Sequence, residues 1–450
     1  MRSLIPIVII ATVAIFMVSN FSIGASVDIK ISRPDGSTLI MIPTVTTFSL
    51  GKTVTDMYHA GVYSLMMLVL VFSGIWPYVK LIMMFASWVC PSTTISFENR
   101  ERLLIWLDAL GKYSLVDSFV LVLMLVSFKF TIEFPGVGTL DSFVIPAFGF
   151  YLFMIATVLS LIIGHGVTFL HRWTELPEIR NSVASEALCN HCYKTEHAIT
   201  RIQSARLSRS AKIGWAIVTV LCIVTLCLGA INKCFTFEFE GLAGIALGND
   251  RKNSYSLLTL GTSLPLSVED PTSFGVKGIQ YTFFFFSFLM PFGCLVAITV
   301  LFYTPMTLKN QQITYMVAEI ANAWSAIEVF LLSIIASMLE LSQFAAFMVG
   351  DHCDFMKAPF FQDLFDGANT CFSVKSTVSP GVIYLGIGVA LHKCIIFTAL
   401  RLAHIALEER MMLEGGVERI SSEIHHRDTI ISKLLRYKSI SFLVDRISYD

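Results

Sequence analysis

The chain has 450 residues, 55% of them hydrophobic and 14% charged, with a mean hydropathy of +0.70. That balance excludes an ordinary soluble globule. A formal net charge of −1 offers no basic field for nucleic acid, and ten cysteines are too sparse for a disulfide scaffold.

Eight apolar runs are long enough to cross about 30 Å of hydrocarbon as helices of roughly 20 residues. They fall at 5–24, 60–87, 114–132, 147–170, 213–232, 279–303, 325–349 and 381–402. The first reads as a retained helix rather than a signal peptide, because its leading region holds only Arg2 and it pairs with the internal run 213–232. After it, Val27-Asp28-Ile29-Lys30-Ile31-Ser32, a Pro34-Asp35-Gly36 turn and Thr38-Leu39-Ile40-Met41-Ile42 predict a small outer hairpin. Phe235–Glu240 repeats that alternation after the fifth run. Pro77 in the second run and Pro291 in the sixth predict helix kinks whose freed carbonyls need partners. Residues 100–112, with Leu103, Leu104, Leu107 and Leu110 on one side, predict an amphipathic helix lying in the inner interface. With both termini inside, twenty Lys and Arg face the cytosol and nine face outward, so the charge bias predicts cytosolic termini.

One motif occurs twice. Tyr113-Ser114-Leu115-Val116-Asp117-Ser118-Phe119 returns as Trp324-Ser325-Ala326-Ile327-Glu328-Val329-Phe330, each at the predicted mouth of a helix. Gly61 through Pro77 also aligns without a gap on Gly275 through Pro291. The predicted fold is an all-α polytopic membrane protein of two tandem four-helix modules, parallel repeats with small β-rich outer segments. The modules span 1–175, with outer segment 25–59, and 213–405, with outer segments 233–278 and 350–380. Between them lies a cytosolic linker at 176–212, and a basic amphipathic tail closes the chain at 406–450.

Ser114 and Ser325, three residues before Asp117 and Glu328, fit capping boxes; a headgroup role for the carboxylates stands beside that reading. Twelve residues beyond the carboxylates come Lys129 and Glu340, placed by helical rise about 18 Å further out. His392 and Lys393 on the last run fall at a similar depth. Lys129, Glu340, His392 and Lys393 are therefore candidates for an intramembrane proton or ion relay. A structural ion pair, or Lys129 reaching outward toward Glu133, is the alternative. Cys353 and Cys371 in the last outer loop are candidates for a disulfide, with Cys234 as a rival partner. No Walker A, H-E-x-x-H or G-x-S-x-G pattern occurs, so no enzyme is indicated.

These motifs resemble the paraquat-inducible protein A family of bacterial inner-membrane proteins. Its two modules carry a W-S-M-L-D-V-F-like motif, a proline-containing second helix and an L-V-K-L-like segment, matched here by Val126-Ser127-Phe128-Lys129. Ile75-Trp76-Pro77-Tyr78-Val79-Lys80-Leu81 is similar to the family's S-I-x-P-x-x-K-L stretch. The resemblance covers roughly 1–175 and 211–405. It implies work with periplasmic MCE-domain proteins that carry lipids, so membrane lipids and an outer-side MCE-like protein are the expected partners. It also implies a four-cysteine zinc ribbon, of which only Cys189-Asn190-His191-Cys192 is present. His197, with His191 or His171, completes a candidate Cys₂His₂ zinc set; a degenerate ribbon that holds no metal is the alternative. The functional expectation is lipid or amphiphile transport, coupled to a proton or ion gradient. The alternatives are a non-transporting organiser whose outer β segments bind proteins, and an ion-coupled channel or transporter for small solutes, for which polar helix positions are too few.

Overall fold

The computed structural model describes residues 4–33, 38–91, 94–134, 138–186, 209–241, 244, 247–268, 270–350 and 373–415. Among them eight helices are long and apolar enough to cross a membrane: Leu4–Phe21, Tyr63–Val89, Asn99–Ser127, Phe148–His171, Arg209–Ile231, Phe274–Tyr303, Leu308–Leu339 and Gly381–Glu408. The number agrees with the sequence reading, but the third and seventh spans begin about fifteen residues earlier than expected.

The chain opens with α1 (Leu4–Phe21) and the strands β1 (Ala25–Ser32) and β2 (Thr38–Phe48), paired antiparallel with Ala25 opposite Phe48. The predicted Pro34–Gly36 turn lies outside the described residues. A short helix α2 (Leu50–His59) follows and stops at Gly61, whose φ of 76° is left-handed backbone that glycine adopts without strain. The second span is then α3 (Tyr63–Val69), a π-helical turn (Leu70–Ile75) and α4 (Trp76–Val89). Pro77 has no N–H to give, so the hydrogen-bond ladder loosens just before it. The same device stands before Pro291, where a π-helical turn (Phe285–Leu289) separates the helices Phe274–Phe284 and Met290–Tyr303.

Residues 100–112 are helical and continuous with the span that follows. Ser96 caps α5 (Phe97–Gly111), accepting a hydrogen bond from the Asn99 amide, and α5 runs through a 3₁₀ turn (Lys112–Leu115) into α6 (Val116–Ser127) as one span. The seventh span is built alike, from the helices Leu308–Trp324 and Ile327–Gly350. Of the charges in 100–112, Asp108 and Lys112 are buried and paired, as described below, whereas Arg102 is exposed.

The third helix also ends early. Past Ser127 the alternating Phe130–Phe134 favours strand over helix, giving β3 (Phe130–Phe134) and β4 (Gly138–Pro146) where a helix end and a short loop were expected. The first sheet is antiparallel in the order β2-β1-β4-β3. After α7 (Phe148–Glu186) and α8 (Arg209–Ile231), β5 (Phe235–Glu240) forms as predicted. It is the central strand of a second sheet, order β6-β5-β7, with β6 at Lys252–Tyr255 and β7 at Ser373–Val378. Phe235, Phe237 and Phe239 are buried, while Glu238 turns to Lys252 (3.2 Å) and Arg251 (3.6 Å). The last helix, Gly381–Gly415, continues thirteen residues past its predicted end.

The chain divides into two compact units. The first joins Met1–Phe169 with Thr225–Leu289 and Ala323–Ile387, and part of its core is Ile9, Phe16, Leu81, Met84, Leu107 and Phe153. The second comprises Leu170–Val224, Met290–Asn322 and Gly388–Asp450. Within it Trp215 stacks on Phe302, and Arg410 binds the Met306 carbonyl (2.9 Å) and the Gln311 side chain (2.7 Å).

Candidate functional site

The repeated motif lies in the middle of its continuous helical stretch. Tyr113 is the midpoint of Asn99–Ser127, and Trp324 is at the centre of Leu308–Leu339. Both mark helix breaks, and interrupted backbone inside a membrane has to be satisfied by protein. In the first unit the α4 and Phe274–Leu289 segments do so. The Trp76 indole donates to the Leu110 carbonyl (3.0 Å), and the Ala326 amide donates to the Phe286 carbonyl (3.0 Å). Each motif aromatic stacks on the phenylalanine five residues before a proline: Tyr113 on Phe72 (5.4 Å) and Trp324 on Phe286 (5.7 Å). The two motif phenylalanines, Phe119 and Phe330, meet edge to face at 5.5 Å, with Phe283 closing the cluster.

The capping boxes are not formed. The N-cap of α6 is Leu115, which has no side chain to offer, and Ser325 Oγ has no hydrogen-bond partner among the described residues. The helix breaks shift the caps away from the serines. The carboxylates have separate fates. Glu328 forms an ion pair with Lys112 at 2.5 Å, both side chains largely buried. Asp117 instead lines a cavity.

Beside the first break is a second buried group of charges. Lys80, fully buried on α4, donates to the Ser160 carbonyl at 3.1 Å. Asp108 on α5 pairs with His165 Nδ1 on α7 at 2.9 Å. Gly111 and Gly164 make room for both: a methyl on Gly164 would stand 2.1 Å from Asp108 Oδ1 and 3.8 Å from Lys80 Nζ, and one on Gly111 would stand 2.5 Å from Lys80 Nζ. His165 stacks on Trp324 (6.2 Å), so the line Lys80–Asp108–His165 continues to the second motif copy. Along it Asp108 Oδ1, His165 Nε2, Trp324 Nε1 and Ser325 Oγ find no hydrogen-bond partner among the described residues. Gly164→Ala is expected to lose about 1–3 kcal/mol through overpacking and to part Asp108 from Lys80. Thermal unfolding of the purified protein measures the loss, with Gly166→Ala, which meets nothing within 4 Å, as the control.

Lys80, Asp108, Lys112 and His165 are absent from the sequence-derived candidates. One signal was available, the four-residue spacing of Asp108 and Lys112 on one helix face. The candidates themselves scatter. Lys129 is not within a helix: α6 ends two residues before it, and it lines a cleft of about 330 Å³ with Thr131, Asn253 and Tyr255. Burial holds its ammonium below the usual lysine range, opposed by Asp141. Glu340 falls in the helix Ile327–Gly350, but its side chain lies outside the described residues. His392 is buried, with Nε2 3.2 Å from the Pro291 carbonyl, and Lys393 is half-buried on the same helix. Cys353, Cys371, Cys189, His191, Cys192 and His197 lie outside the described residues. Cys234 is a free, buried thiol donating to the Gly229 carbonyl (3.2 Å), and burial pushes it up to about 11.

Eight helices long and apolar enough to cross a bilayer define a multi-pass integral membrane protein. Within it, residues 267–358, over the sixth span, the second motif copy and the helix that follows, match the family model of paraquat-inducible protein A. No curated protein and no solved structure matches the chain.

Proposed function

We propose that this protein moves lipid or another amphiphile between its membrane and an outer-side partner, and that the Lys80–Asp108–His165 line couples that movement to a proton or ion gradient. The observation that carries the coupling is the row of buried charged and polar groups between the helices of the first unit, several with unused hydrogen-bonding capacity. Ionisable groups inside a membrane are costly and mark ion or substrate paths, and His165 Nδ1 lies 2.9 Å from the Asp108 carboxylate. The matching proline turns and aromatic stacks support a tandem repeat of parallel modules. The charge bias supports cytosolic termini, which leaves the two sheets outside for an MCE-like lipid carrier.

Reconstitution into liposomes with a fluorescent lipid and an imposed pH gradient tests the coupling. Asp108→Asn is expected to lower gradient-driven transfer at least tenfold, with Glu340→Gln and Lys129→Met as parallel tests of the two residues aligned beyond the motifs. Unchanged transfer in a folded Asp108→Asn protein overturns the coupling, whereas no transfer by the wild type favours the membrane-organiser reading.

A further inference from the structure

The cavity beside Asp117 has a volume of about 70 Å³, enough for a small polar headgroup rather than a whole ligand. Its wall is mostly apolar, from Phe48, Met57, Met124 and Phe153, with hydroxyls from Ser49 and Thr53. Asp117 is the only ionisable residue on that wall among the described residues. It stands four residues past the midpoint of its span, and Met124 lies about 10 Å further along α6. The cavity therefore reaches from Asp117 along α6 toward the first sheet.

The two motif copies make the carboxylate stand out. Glu328 aligns with Asp117 and has Lys112 against it. The residue aligned with Lys112 in the second copy is Ala323, which has no charge to give Asp117. One motif carboxylate is thus balanced by a protein cation, while the other faces an apolar cavity. A carboxylate in that setting gains most from a ligand that brings its own positive charge on an apolar body.

We infer that Asp117 recognises an ammonium-bearing amphiphile, supplied as the amine headgroup of a membrane lipid or as a free single-chain amine. The inference rests on the amphiphile-handling reading and names the chemistry of one ligand for it. The ammonium pairs with Asp117, the hydroxyls of Ser49 and Thr53 meet other polar atoms, and the first methylenes of the hydrocarbon meet Met57, Met124 and Phe153.

The test uses the full chain in neutral maltoside micelles. Binding of dodecylammonium and dodecyltrimethylammonium is measured by calorimetry against dodecanol. Wild type is expected to prefer the cations at least tenfold. Asp117→Asn should abolish that preference and Asp117→Glu retain it, with unfolding temperatures confirming that both variants fold. Mass spectrometry of lipids retained from nanodiscs holding equal phosphatidylethanolamine and phosphatidylglycerol separates the sources. Enrichment of phosphatidylethanolamine that Asp117→Asn removes assigns the headgroup, whereas alkylammonium binding without it assigns a free amine. No preference for cations in wild type, or a preference that survives in Asp117→Asn, overturns the inference. Lipid transfer that persists in vesicles without amine headgroups would then leave the transport reading standing. Loss of transfer in every vesicle alongside intact amine binding would overturn that reading alone.

Discussion

Lys112→Met is expected to destabilise the protein by about 3–5 kcal/mol, because it strands the Glu328 carboxylate in a low-dielectric interior. The pair is short and largely buried, so neither water nor a flexible surface side chain replaces the lost partner. Denaturant unfolding in micelles measures the loss, and the double variant Lys112→Met/Glu328→Gln should recover most of it. Asp117→Asn, at the aligned position of the other copy, should change stability by less than about 1 kcal/mol, since no protein cation is lost. Equal losses for Lys112→Met and Asp117→Asn would contradict the separate environments of the two carboxylates.

Lys80→Met is expected to have the next largest effect. Lys80 Nζ and Asp108 Oδ1 both fall within 4 Å of the point where a Gly164 methyl would stand, so they are within about 6 Å of each other. At an effective dielectric of about 20, opposite unit charges at that separation attract by about 3 kcal/mol. Lys80→Met should lose an amount of that order, and Lys80→Met/Asp108→Asn should recover part of it, a coupling that a double-variant cycle reads directly. Lipid transfer should stay low in the double variant, because it removes the charges rather than rebalancing them. Additive losses in the cycle would show that the two charges do not interact.

The motif shows how far sequence reading carried. Its duplication, its aromatic and carboxylate positions and the prolines beneath it were all legible, because each is a residue type at a fixed spacing. Its place inside a longer helical stretch was not. The stretch 100–112 holds Arg100, Glu101, Arg102, Asp108 and Lys112, and hydropathy treats each charge as a cost. The partners that offset two of those costs, His165 and Glu328, are 57 and 216 residues away in the chain. Lys129 failed for a related reason. A lysine at the end of an apolar run reads as intramembrane, but the aromatic and β-branched alternation that follows turned the chain into β3 and moved it out of the helix.

The amino-acid sequence by itself determined eight spans, a hairpin after the first, a strand after the fifth, kinks at Pro77 and Pro291 and the family resemblance, since each follows from local composition and periodicity. Only the tertiary structure decided that the motif breaks a longer helical stretch, that Lys112 rather than a helix cap satisfies Glu328, and that Asp117 faces a cavity. Those outcomes depend on which distant helix brings a charge, a carbonyl or a glycine to the break, and no local pattern encodes that meeting.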